Sequence, residues 1–169
     1  RGDDEHPVRP ARDAGRRGAA GQRLAGAREL YLTAAYDEAL ASLDALQPNG
    51  LPVEQQRALG LYRVLCLVAL GRTADADAAL DGLIAQHPLY RAEDEPLSPR
   101  IRTAFTQARQ RLVPGLIQQQ YADGKAAFDR RDYATAAQTF DWVLKALQDP
   151  ELGSAGAVPP LSGLRMAAA

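Results

Sequence analysis

Three times along the chain an alanine is followed four residues later by a large apolar side chain, just after a turn: Ala39 with Leu43, Ala76 with Leu80, and Ala136 with Phe140. Five residues before each alanine, at the turn itself, stand Ala34, Gly71 and Arg131. The small alanine lets the two helices of a hairpin approach closely, and the large residue four positions on fills the gap to the next hairpin. A hairpin of this kind cannot bury its apolar face alone, so the recurrence predicts stacked helical hairpins. The chain is expected to be all-α.

The stretches between the turns carry the helical period. LAGARELYL runs from Leu24 to Leu32, Ala34-Ala35 make a short turn, and YDEALASLDAL follows with Leu40, Leu43 and Leu46 on one stripe. Gln47-Pro48-Asn49-Gly50 is turn chemistry. VEQQRALGLYRVLCLVAL ends at Gly71, a residue suited to a helix C-terminus. TADADAALDGLIAQH then begins with Thr73 as the expected N-cap and stops before Pro88. After the polar loop LYRAEDEPLSP, Ser98-Pro99 opens another helix. Its apolar stripe passes through Ile101, Ala104, Phe105, Ala108 and Leu112 and continues in phase at Leu116, Ile117, Tyr121, Gly124 and Phe128. Pro114 interrupts that stripe, at about 3 kcal/mol for a helix interior. The unbroken phase favours one long kinked helix over two. YATAAQTFDWVLKAL completes the pattern, and Pro150 ends it.

Outside these helices the chain reads as flanks. Residues 1–22 lack bulky apolar periodicity and predict a flexible leader. Its Arg1-Gly2-Asp3 matches an adhesion tripeptide, which an Arg- and Asp-rich segment also produces by chance. Residues 151–169 read as a linker and the start of a truncated helix, as in a piece excised from a longer chain. The expected repeat domain is 23–150, in units of about 23–48, 53–88 and 99–149.

At this point the chain resembles the tetratricopeptide repeat. That family's unit of about 34 residues carries Ala-x3-Phe and a later Pro. Here Pro88 lies twelve residues after Ala76, and Gly124 supplies the family's small residue in the first helix. The turns are 37 and then 60 residues apart, so an extra or elongated helix, about 99–131, separates the second and third. The family's early Trp is absent, and its first-helix Tyr falls one residue late, at Tyr31 and Phe128. The resemblance implies a right-handed array of hairpins that serves as a protein-interaction scaffold. SPRIRTAF, LVPGLIQQQYADGKAAFDRRDY and the Pro-containing linker also look like the helical-repeat region of bacterial envelope proteins with a TonB-like C-terminal domain. That second resemblance implies the bacterial periplasm or envelope, with the cytoplasm as the alternative, and offers as the alternative function a spacer for such a domain.

No residue pattern announces chemistry. Cys66 is the only cysteine, and a buried apolar role is expected for it. His6 and His87 have no acidic or cysteine partner at ligand spacing, so no metal is expected, and His87 suits a helix C-terminus. Glu93, Asp94 and Glu95 lack the alternating oxygens of a calcium loop. Phosphate loops, triads and paired carboxylates are absent, so neither an enzyme nor a cofactor is expected. The net charge of −1, with bases and acids interleaved, argues against nucleic acid. No apolar run approaches membrane-span length.

The family usually binds peptides through its first helices. By register the resemblance points to Leu24, Arg28 and Tyr31, to Leu61, Leu65 and Val68, and to Tyr121, Lys125 and Phe128. The peptide-binding candidates are Arg28, Tyr31, Tyr121, Lys125 and Phe128. The competing reading is that the apolar ones pack neighbouring helices. The family's Lys and Asn carboxylate clamp has no counterpart here, so an apolar or amphipathic segment is the expected ligand.

Overall fold

The computed structural model describes residues 10–91 and 96–152. Arg1-Gly2-Asp3, His6, the acidic run 93–95 and all but the first two residues of the expected linker and truncated helix, 151–169, lie outside them. Six α-helices follow one another: α1 (Pro10–Leu32), α2 (Tyr36–Asp44), α3 (Val53–Ala69), α4 (Thr73–Gln86), α5 (Pro99–Asp129) and α6 (Tyr133–Leu147). A 3-10 turn over Pro150–Leu152 follows α6. The described residues are all-α. Packing divides the chain into two units, 1–79 and 80–169, with the boundary inside α4.

The three aligned turns have the same backbone. Ala34, Gly71 and Arg131 have φ of 62°, 71° and 66°. At each, the left-handed residue donates its N–H to a carbonyl three residues back, Ala34 to Tyr31, Gly71 to Val68 and Arg131 to Phe128. The next residue donates five back, Ala35 to Leu30, Arg72 to Leu67 and Asp132 to Ala127. This pair of bonds is the Schellman motif, which satisfies the last carbonyls of the preceding helix. The alanine four residues further on then donates the first bond of the new helix, Ala39 to Ala35, Ala76 to Arg72 and Ala136 to Asp132. All three alanines are buried.

In the first unit α1 and α2 pair, and α3 packs on both. Their core joins Leu24 and Ala27 of α1, Ala39, Leu40 and Leu43 of α2, and Leu59, Cys66 and Leu67 of α3. Two boundaries differ from the sequence expectation. Helix α1 starts at Pro10, so the limit drawn at residue 22 falls inside a helix. Pro is well placed at a helix start, and the Ala- and Arg-rich stretch extends a turn already anchored by Ala20 on the core. Thr73 is the first helical residue of α4 and not its cap. Arg72 precedes it and holds Asp75 at 2.7 Å.

In the second unit α5 is one helix of 31 residues that runs through Pro114. Phe105, Val113 and Ile117 on its inner face are 0%, 0% and 1% exposed. Each such burial stabilises by about 1.5–3 kcal/mol, so together they outweigh the roughly 3 kcal/mol loss at Pro114. Ser98 stands at the N-cap with Pro99 at the first helical position, without a side-chain cap bond.

The same inner face carries a charge. Arg109 is completely buried, one turn after Phe105 and one before Val113. Its Nε donates to Glu151 Oε2 at 2.9 Å, and its terminal nitrogens donate to Asp149 Oδ2, to the Pro88 carbonyl at 2.6 Å and to the Tyr90 carbonyl. Tyr90 also meets Phe105 edge-on, with ring centroids 5.5 Å apart. The guanidinium fork thus ties the 88–90 loop and the 149–151 turn to α5. Buried charge persists only when paired and bonded in this way.

Candidate functional site

The α5–α6 hairpin brings three of the five candidate residues together. Gly124 and Ala127 of α5 and Ala136, Val143 and Ala146 of α6 are buried, so the two helices meet along small side chains. Gly124 is needed where it stands: a Cβ there would lie 2.9 Å from Phe140 Cε1. Two pairs of rings flank this contact. Tyr121 lies 5.7 Å from Phe140, and Phe128 meets Tyr133 edge-on at 5.5 Å, both between ring centroids.

Three of these rings and one leucine are exposed, while Phe140 is half-buried. Tyr121 is 39% exposed, Phe128 56%, Tyr133 57% and Leu144 41%. Lys125 lies one turn from both Tyr121 and Phe128, so the three share a face of α5. Its ammonium is 3.6 Å from Asp129, and both side chains are about two-thirds exposed, which makes that pair weak. On α6, Asp141 pairs with Lys145 of its own helix at 2.6 Å. The result is an aromatic patch bordered by solvated charges.

The other two candidates are elsewhere, in the first unit. Tyr31 is wedged between Tyr36 and Tyr62, with centroids at 5.5 Å and 5.6 Å, so it packs helices together. Burial pushes its hydroxyl above the usual tyrosine range, with Tyr36 the next contributor. Arg28 is exposed on α1. Leu61 and Leu65 are buried, and Val68 packs against the first unit's core. Sequence reasoning missed the contribution of α6. Tyr133, Phe140 and Leu144 follow helical spacing, and that spacing was the available signal.

Cys66 is fully buried in the first unit's core, and burial, reinforced by Asp44, raises its thiol above the ordinary range. A thiol held protonated is a poor nucleophile. His87 directly follows α4, as expected for a helix end. Among the described residues no three His, Cys, Asp or Glu side chains group closely enough to hold a metal ion. None of the described helices is long and apolar enough to cross a membrane.

Comparison with known proteins finds no matching family model, no similar curated protein and no similar solved structure.

Proposed function

We propose that the chain is a non-catalytic scaffold of tetratricopeptide type that binds a peptide or partner domain through the open face of its third hairpin. The observation that carries this reading is the set of exposed rings Tyr121, Phe128 and Tyr133, with half-buried Phe140 against Tyr121, beside Lys125 on a hairpin whose turn repeats two others bond for bond. In this reading the units are about 23–48, 53–88 and 99–149, α5 is the elongated extra helix, and the array is right-handed. The periplasm or envelope of a bacterium is the proposed compartment, on the resemblance alone, with the cytoplasm the alternative.

The test is a pull-down with the whole chain beside a variant carrying Tyr121→Ala, Lys125→Ala and Phe128→Ala. A protein retained by the first and lost by the second is expected. Capture that is the same for both, or absent from both, overturns the reading.

A structural spacer for a C-terminal TonB-like domain is the second reading. It is favoured by the Arg109 clamp, which fixes the turn 149–151 to α5. A spacer predicts unchanged function of the longer protein after the triple substitution and lost function after Arg109 is replaced.

A further inference from the structure

The first and third hairpins place equivalent residues 97 positions apart, so Leu24, Tyr31, Leu40, Leu43 and Asp44 correspond to Tyr121, Phe128, Ala137, Phe140 and Asp141. Their surroundings differ. Leu24, Leu40 and Leu43 are 9%, 6% and 0% exposed, because α3 lies over them within the first unit. Tyr121 and Phe128 are 39% and 56% exposed, and Ala137 is exposed too. The first hairpin therefore displays, inside this same chain, what covers such a face.

The covering helix does so with identifiable chemistry. Leu59 and Cys66 of α3 enter the core, and Tyr62 meets Tyr31 edge-on at 5.6 Å. Arg63 reaches across to Asp44 of α2 at 2.7 Å. On the third hairpin Asp141 stands where Asp44 does, and its ion pair is with its own helix. A helix that suits the open face thus has apolar residues at i, i+3 and i+7 and an arginine at i+4.

We propose that the open face of the α5–α6 hairpin docks one amphipathic helix of a partner protein, seated as α3 sits on α1 and α2, with its arginine on Asp141. This rests on the scaffold reading and names the class of partner. A second copy of the chain is disfavoured as the source, since its own α3 is already buried. Residues 161–168, LSGLRMAA, lie outside the described residues and repeat the spacing with Leu161, Leu164 and Arg165. They bring Leu161, Leu164 and Met166 but set Ser162-Gly163, a poor helix former, within the first turn and only Ala168 at i+7.

The experiment uses the full chain and a fluorescein-labelled peptide of residues 53–69 as the helical probe, followed by anisotropy and by the fluorescence of Trp142. Saturable binding is expected. Phe128→Glu is expected to weaken it by about tenfold or more. Asp141→Arg is expected to weaken it about threefold to tenfold, and a peptide carrying Arg63→Glu to recover most of that loss. Both substituted residues are more than half exposed, so unchanged thermal melts establish that the variants fold.

No binding, or a charge swap without recovery, overturns the proposal. Binding that emerges only after Leu161→Glu with Leu164→Glu also overturns it and makes the chain's own segment the occupant. Concentration-dependent dimers removed by Phe128→Glu overturn it in favour of a second copy. If the probe fails while the pull-down still retains a protein dependent on Tyr121, Lys125 and Phe128, the scaffold reading survives and this inference alone falls.

Discussion

Gly124 and Phe140 are in contact across the α5–α6 hairpin, with room between them for a hydrogen and not for a methyl group: a Cβ on Gly124 would meet three ring carbons at 2.9–3.3 Å. Gly124→Ala gains about 1 kcal/mol of helix propensity and loses about 1–3 kcal/mol to overpacking. A net loss of roughly 1 kcal/mol is expected in chemical denaturation. Adding Phe140→Leu, which frees that space, is expected to recover it. Ala136→Leu, at the buried small position of α6, is expected to lose about 1–3 kcal/mol for the same reason.

Arg109 holds two carboxylates and two carbonyls from a fully buried position. Arg109→Ala leaves those acids without their cation and is expected to destabilise the second unit by about 3–5 kcal/mol. Arg109→Lys is expected to recover little of it, because an ammonium lacks the planar fork that reaches all four acceptors. Urea titrations of the three proteins measure both effects.

Two of the three Schellman positions hold a side chain in the left-handed region, Ala34 and Arg131, and the third holds Gly71. Ala34→Gly and Arg131→Gly are each expected to stabilise by about 0.5–1 kcal/mol, and Gly71→Ala to destabilise by about 1 kcal/mol. If all three substitutions move the melting temperature in the same direction, the shared-turn account is wrong.

Asp132 accepts from Thr135 at the start of α6, and the Thr135 side chain, then its backbone N–H, holds the carboxyl below its ordinary range. A group depressed in the folded state stabilises above its unfolded pKa. That contribution is lost as pH falls through the folded value. Asp132→Asn is therefore expected to flatten the acid limb of the stability profile, below the usual carboxylate range, and to leave the neutral region nearly unchanged. Melting temperatures from pH 2 to pH 7 test this.

Cys66 is 0% exposed, and burial raises its thiol. Labelling by a thiol-specific disulfide reagent is expected to follow opening of the first unit and to become rapid in denaturant. Fast labelling of the native protein would contradict the described core.

The turns were legible because they are local. Ala34, Gly71 and Arg131 could be aligned by counting back from a buried alanine, and each closes its helix with bonds to residues three and five positions away. The continuity of α5 was legible for a related reason, since its stripe keeps phase across Pro114. Two features depended on remote partners and could not be read locally. Arg109 counts as polar in any periodic pattern, so the apolar stripe passes through Ala108 and Leu112; its acceptors lie 19–42 residues away. Tyr31 and Phe128 occupy one repeat position, yet the first is packed and the second is 56% exposed. Tyr62 of α3, 31 residues further on, is what packs on the first. The start of α1 at Pro10 was missed because a helix can extend outward from an anchored turn without an apolar stripe of its own.

Synthesis order gives the buried arginine a further meaning. A growing chain makes Arg109 forty residues before Asp149 and 42 before Glu151. Until those acids have been made, packing that face of α5 would bury a cation without its counter-charges, a loss of several kcal/mol. The second unit is therefore expected to close during synthesis only after the last residues of its final turn have arrived, which protease resistance of nascent chains ending before and after residue 152 would measure.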